Sequence, residues 1–200
     1  MGMSIEEFRK IQNAKPKAKN DMQGYRAYTS NEKGRSFEED ILRACEWYRR
    51  NGIAVINKVN EPYRVIKKLE GGRFIGQHTA AAEPDFKGVL KGGRGIAFEA
   101  KYTSKSRIQR SVVTQEQMDW LQEQYDMGAI AFVCICIKDR YFSVPWIVWR
   151  DMKQIYGKKY LMPGDISQFE VAYRHGVMFA EYRSLPFERL LELYEGENRK

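Results

Sequence analysis

The stretch "AIAFVCICI" (Ala129–Ile137) is apolar at every position. A strand of this kind is stable only where both of its faces are covered. It therefore predicts a strand with helices packed above and below, which is a layered α/β architecture, while "GIAFEAKY" (Gly95–Tyr102) reads as the central strand.

The segments around it agree. "GIAVINKV" (Gly52–Val59), "PDFKGVL" (Pro84–Leu90), "GIAFEAKY" (Gly95–Tyr102) and "YFSV" (Tyr141–Val144) read as further strands. Helices are predicted over Ser36–Arg50 and over residues 114–127. Ser36-x-x-Glu39 is a capping box and Asn51-Gly52 a stop signal for the first helix. Its inward stripe is read as Ile41, Leu42, Cys45 and Tyr48, with Glu38 on the same face at helical spacing. Met118, Leu121 and Tyr125 are the inward residues of the second. Residues 1–33 read as a flexible basic arm with a short helix over Ser4–Gln12, and residues 34–200 as one domain. "YRVIKKLEGGRFIGQ" reads as a hairpin around Gly71-Gly72, basic and poor in core residues. It projects from the domain over about residues 61–82.

Within the strand "GIAFEAKY", alternation puts Ile96, Phe98 and Ala100 on one face and Ala97, Glu99 and Lys101 on the other. The first face is core. The second sets a carboxylate beside an ammonium, with a small Ala leaving room. Asp85 lies on the preceding strand, across the turn Gly92-Gly93-Arg94-Gly95, and a hairpin of that length brings it beside Glu99. Two adjacent carboxylates in a low-dielectric site repel, and one tends to take up a proton. A divalent cation removes the conflict, and hard oxygen ligands suit Mg²⁺ or Mn²⁺. Such an ion polarises a phosphoryl oxygen and lowers the pKa of a water. Lys101 would orient that water or stabilise developing charge, and Glu38 would complete an acidic cluster.

Pro84-Asp85, followed by Glu99-Ala100-Lys101, resembles the PD-(D/E)XK nuclease superfamily. More closely, "GRSFEEDI", "NGIAVINKV", "EPDFKGVLKG", "IAFEAKYT", "TQEQMDWL" and "GAIAFVCI" resemble, in order, the RecU family of Holliday junction resolvases. The resemblance covers about residues 34–148. It implies a restriction-endonuclease-like mixed β-sheet flanked by helices, with an inserted β-hairpin stalk. It also implies a homodimer, Mg²⁺-dependent cleavage of four-way DNA junctions, and a branch-migration helicase as partner. Asp85 and Glu99 match the family's metal ligands, Lys101 its catalytic lysine, and Gln117 a residue of the metal site. Thr114-x-x-Gln117 is equally a capping box, and both readings of Gln117 stand. Where the family carries a Thr metal ligand two residues before the Asp, this chain has Glu83, whose carboxylate is a candidate metal ligand or else faces away.

The chain carries a net charge of +8, which points to a polyanionic partner. Arg35, Arg64, Lys67, Lys68 and Arg73 are the DNA-binding candidates. No signal peptide and no run of about eighteen apolar residues is present. Three cysteines suit a reducing compartment, so a cytoplasmic protein away from membranes is expected. Cys134 and Cys136 alternate on a buried strand and read as core. Trp146 and Trp149 read as packing, and His78 and His175 as surface residues. Two rival functions stay open: another PD-(D/E)XK nuclease acting on duplex or flap, and a junction-binding architectural protein without catalysis.

Overall fold

The computed structural model describes residues 19–59, 63–78, 83–184 and 186. In chain order the elements are α1 (Lys19–Arg50), β1 (Ala54–Lys58), β2 (Tyr63–Lys68), β3 (Phe74–His78), β4 (Phe86–Leu90) and β5 (Gly95–Thr103). They continue with β6 (Ile108–Gln109), α2 (Gln115–Asp126), β7 (Ile130–Ile137), β8 (Arg140–Pro145), α3 (Trp146–Arg150) and α4 (Met152–Tyr156). Three short strands close the described chain: β9 (Tyr160–Leu161), β10 (Val171–Tyr173) and β11 (Val177–Tyr182).

The centre is a five-stranded mixed sheet in the order β1-β4-β5-β7-β8. Its β5–β7 pair is parallel, and the crossover between them is α2; the other pairs are antiparallel. Every residue of β7 is buried, as its composition requires. The expected mixed sheet with flanking helices is therefore present.

One face of the sheet is an aromatic core. Phe98 stacks on Phe86 at 4.9 Å and on Phe132 at 4.5 Å, and Phe179 of β11 lies 4.8 Å from Phe98. Tyr48 of α1 meets Phe179 at 5.0 Å, so α1 and β11 cover this face together. Aromatic contacts at these separations add to the energy of burial itself. The opposite face is covered over β5 and β7 by α2 and α3, which contribute the buried Met118, Leu121, Trp146 and Trp149.

The first helix differs from its expected form in start and in phase. It runs unbroken from Lys19 to Arg50, so Ser36 and Glu39 lie inside it and the Ser36-x-x-Glu39 box caps nothing. Gly34 costs a helix about 1 kcal/mol, which is not enough to stop one that continues on both sides. Residues 19–33, expected in a flexible arm, are helical backbone. Residues 1–18, including the expected short helix over Ser4–Gln12, lie outside the described residues. The inward stripe is Phe37, Ile41, Ala44, Cys45 and Tyr48, with Asp40, while Leu42 points outward at 39% exposure.

Among the described residues, strands β2 and β3 pair only with each other, with Lys68 opposite Phe74. Gly71 takes φ +70° at the tip, a left-handed conformation that glycine adopts without strain. The hairpin is thus separate from the main sheet, as expected. Residues 60–62 and 79–82, at its base, lie outside the described residues. Among the described residues no helix is long and apolar enough to cross a membrane.

Candidate active site

Asp85 is placed by the end of the β4–β5 ladder. The last register pair is Phe86 with Phe98. Beyond it, Pro84 has no N–H to continue the pairing. The Asp85 side chain takes over: its Oδ2 accepts from the backbone N–H of Ala100 at 2.8 Å. The Asp85 carbonyl accepts from the Val59 N–H at 2.9 Å, which ties the loop to β1. The carboxylate therefore serves the fold as well as the site.

Glu99 and Lys101 stand two residues apart on β5, on the face turned to α2. Glu99 is fully buried. Its Oε2 accepts from Lys101 Nζ at 2.6 Å and from Gln117 Nε2 at 2.7 Å. Lys101 Nζ also lies 3.7 Å from Asp85 Oδ2, so one ammonium sits between the two carboxylates. Burial, and next the Asp85 charge, push the Glu99 carboxyl well above the ordinary carboxylate range, while Lys101 opposes the shift.

Gln117 has both of the roles read from its sequence context. Its Oε1 accepts from the Thr114 N–H at 3.1 Å, and Thr114 Oγ1 accepts from the Gln117 N–H at 3.3 Å, which is a complete capping box. The other end of the same amide reaches Glu99. A capping box fixes the rotamer of its N3 residue, so the start of α2 aims this donor at the site.

Glu38, expected in the acidic cluster, and Glu83, a candidate metal ligand, are not gathered here. Glu38 is half-buried and paired with Lys58. Lys58 is the register partner of Phe86 and so lies on the α1 face of the sheet, away from Glu99. Glu83 is paired with Lys87. Among the described residues no three acidic, histidine or cysteine side chains form a metal-binding group, so the acidic cluster expected from Glu38, Asp85 and Glu99 is reduced to two carboxylates.

A divalent ion still fits. Among the described residues Glu99 Oε1 is buried without a hydrogen-bond partner, and a buried, unpaired carboxylate oxygen is costly unless something positive meets it. Asp85 and Glu99 supply hard oxygens, and Mg²⁺ is commonly held by one or two carboxylates with waters completing its shell.

Arg35 is exposed on α1, and Lys67, Lys68 and Arg73 are exposed on the hairpin; the Arg64 side chain lies outside the described ones. Cys134, Cys136, Trp146 and Trp149 are buried core, as expected. His175 is exposed and stacks on Trp47 at 5.3 Å, and the His78 side chain is outside the described ones. The sequence reading missed Asp40. This buried carboxylate of α1 accepts from Tyr173 Oη at 2.9 Å and pairs with Arg43. Its signal was its place between Phe37 and Ile41 on the true inward stripe.

A mixed sheet with Pro84-Asp85 opening one strand and Glu99-x-Lys101 on the next has the arrangement of a PD-(D/E)XK protein. The chain belongs to the RecU family: the family model described as Recombination protein U matches residues 32–177. Relatives named Holliday junction resolvase RecU include one from Geobacillus sp., 30% identical over 109 residues, covering 52% of this chain and 54% of that protein. Another, from Geobacillus kaustophilus, is 26% identical over 155 residues, covering 72% and 74%. The chain spans about half the length of the first of these curated relatives. A solved structure of Hjc, a Holliday junction resolvase from Archaeoglobus fulgidus, aligns at 16% identity with a TM-score of 0.37, over 58% of this chain and 75% of that one.

Proposed function

We propose that this protein is a divalent-metal-dependent endonuclease that cuts four-way DNA junctions. The observation that supports the reading most is the grouping of Asp85, Glu99 and Lys101 on one sheet face, with a buried Glu99 oxygen left for a cation. A resident Mg²⁺, with Mn²⁺ as substitute, would be held by Asp85 and Glu99 and would supply Lewis-acid polarisation of the scissile phosphate. Lys101 places its ammonium where negative charge develops on the phosphoryl oxygens. Gln117 holds the Glu99 carboxylate in orientation. Glu38 and Glu83 act one step back, each holding a lysine beside the Asp85 loop.

Substrate choice belongs to the basic hairpin and to symmetry. Lys67, Lys68 and Arg73, with Arg64 and Arg35, meet phosphates that converge at the branch. A homodimer would set two sites on two opposed strands of a junction, which has the same two-fold symmetry. A branch-migration helicase is the partner such an enzyme would follow, in the cytoplasm.

The test is incubation with a synthetic four-way junction, a linear duplex and a flap, with and without Mg²⁺. Metal-dependent cutting of the junction in preference to the others is expected. Equal cutting of all three would leave a general nuclease of the superfamily. Binding without cutting in either metal would leave an architectural protein.

A further inference from the structure

We propose that Trp120 and Lys87 form a second contact with the cut strand, in which the indole stacks on a base exposed at the branch point and the ammonium takes the phosphate beside it. The inference rests on the reading of the chain as a nuclease for branched DNA, and it assigns part of the branch recognition to the wall of the catalytic site.

The two residues are placed by the same elements as the catalytic group. Lys87 is opposite Ala97 in the β4–β5 register, so it projects on the Glu99 side of the sheet. Trp120 lies one turn beyond Gln117 on α2, and residues at that spacing share a helix face. The Gln117–Glu99 contact and the Lys87–Trp120 contact are thus successive rungs between α2 and the sheet. Lys87 Nζ stands 5.7 Å from the centre of the Trp120 ring, within cation–π range. Two residues along a strand span about 7 Å. Lys87 therefore lies about two base-pair rises from Asp85, close enough for one strand to touch both.

The surface here is open. Trp120 is half-exposed, whereas Trp146 and Trp149 are buried. The Lys87 side chain is 48% exposed and also pairs with Glu83. Next to it the outer face of β1 and β4 presents Val55 and Val89, register partners that are both exposed. Among the described residues no helix packs on β4 to the extent that α2 packs on β5. An aromatic ring with a cation over one face, flanking a phosphodiester site, has the chemistry of a stacking platform for nucleic acid through its other face. In continuous duplex every base is stacked on both sides and offers no free face. At a branch point stacking is interrupted, so the platform favours branched DNA.

Binding is measured by titration in EDTA, where no strand is cut, against a four-way junction and a duplex of the same sequence. Trp120→Leu is expected to lose about tenfold on the junction and less than about threefold on the duplex. Trp120→Phe, which keeps a ring, should stay within about threefold of wild type on both. Lys87→Ala, at an exposed position that packing does not depend on, should lower the salt slope of junction binding by about 0.9. If wild-type protein shows no preference for the junction, the functional reading falls and this inference with it. If wild type prefers the junction but Trp120→Leu binds it equally well, or loses as much on duplex, the inference alone falls. An unchanged salt slope for Lys87→Ala would overturn it in the same way, whether or not the Trp120 variants fold.

Discussion

The side-chain amide of Gln117 joins a helix cap to a buried carboxylate: Oε1 accepts from the Thr114 N–H at 3.1 Å, and Nε2 donates to Glu99 Oε2 at 2.7 Å. The two ends can be tested apart. Thr114→Ala removes the cap from the other side and leaves Glu99 untouched. Each of Thr114→Ala and Gln117→Ala should cost about 1 kcal/mol in urea unfolding. Only Gln117→Ala should also slow junction cutting, by tenfold or more. Equal cutting rates for the two variants would reduce Gln117 to a cap.

Glu99 sets a pH dependence. Its carboxyl is raised from 4.5 to about 8, first by burial and then by Asp85. In that window the folded protein holds a proton that the unfolded chain releases. Stability of the metal-free protein should therefore fall as pH rises from about 4.5 to about 8, and level off above. Glu99→Gln should flatten the slope. The same proton competes with a cation, so metal affinity should rise with pH over the window. Thermal unfolding and calorimetric titration with Mn²⁺ across this range read both effects.

The paired Glu38 and the exposed Glu39 on α1 should separate function from surface charge. Glu38 pairs with Lys58 beside the Asp85 loop, while Glu39 has no capping role in the uninterrupted helix. Glu38→Gln should cost less than about 1 kcal/mol in stability, since the pair is partly exposed, yet reduce cutting clearly. Glu39→Gln should change neither. A cleavage rate for Glu38→Gln equal to that of Glu39→Gln would remove Glu38 from the catalytic group's support.

The hairpin should act on branched substrates above all. Replacing Arg64, Lys67, Lys68 and Arg73 with Ala should weaken junction binding and flatten its salt dependence, by a slope of about 0.9 for each phosphate that is no longer neutralised. Duplex binding should change much less. Because, among the described residues, β2 and β3 pair only with each other, the main sheet and its site should keep their melting behaviour. Equal losses on both substrates would make the hairpin a general basic patch.

The strand chemistry was legible because alternation on a strand is a hard rule. Glu99 and Lys101 had to share a face with Ala97, and the all-apolar β7 had to be covered on both faces. The first helix was read less well. Stripes through 38-41-42-45-48 and 37-41-44-48 differ by about one position, and Leu42 carries more apolar weight than Ala44. The true phase is set by contacts no local pattern contains: Tyr48 against Phe179, and Asp40 against Tyr173. The Ser36-x-x-Glu39 box failed for a related reason, since a capping signal says where a helix can start and not that it must. The bond from Ala100 N–H to Asp85 was likewise out of reach, because it depends on where the β4–β5 ladder ends.

Asp85 and Glu99 are the proposed metal site of a junction-cutting enzyme. That assignment is tested most directly by Asp85→Asn and Glu99→Gln in a junction-cleavage assay with Mg²⁺, with binding measured in parallel. Asn at position 85 keeps an acceptor for the Ala100 N–H, so the fold should survive the change. Both variants should bind the junction within about threefold of wild type, because the proposed phosphate contacts are made by basic side chains elsewhere. Cutting should fall by at least about a thousandfold, as expected when the group that holds the ion is lost. Cutting at a near wild-type rate by either variant would contradict the assignment.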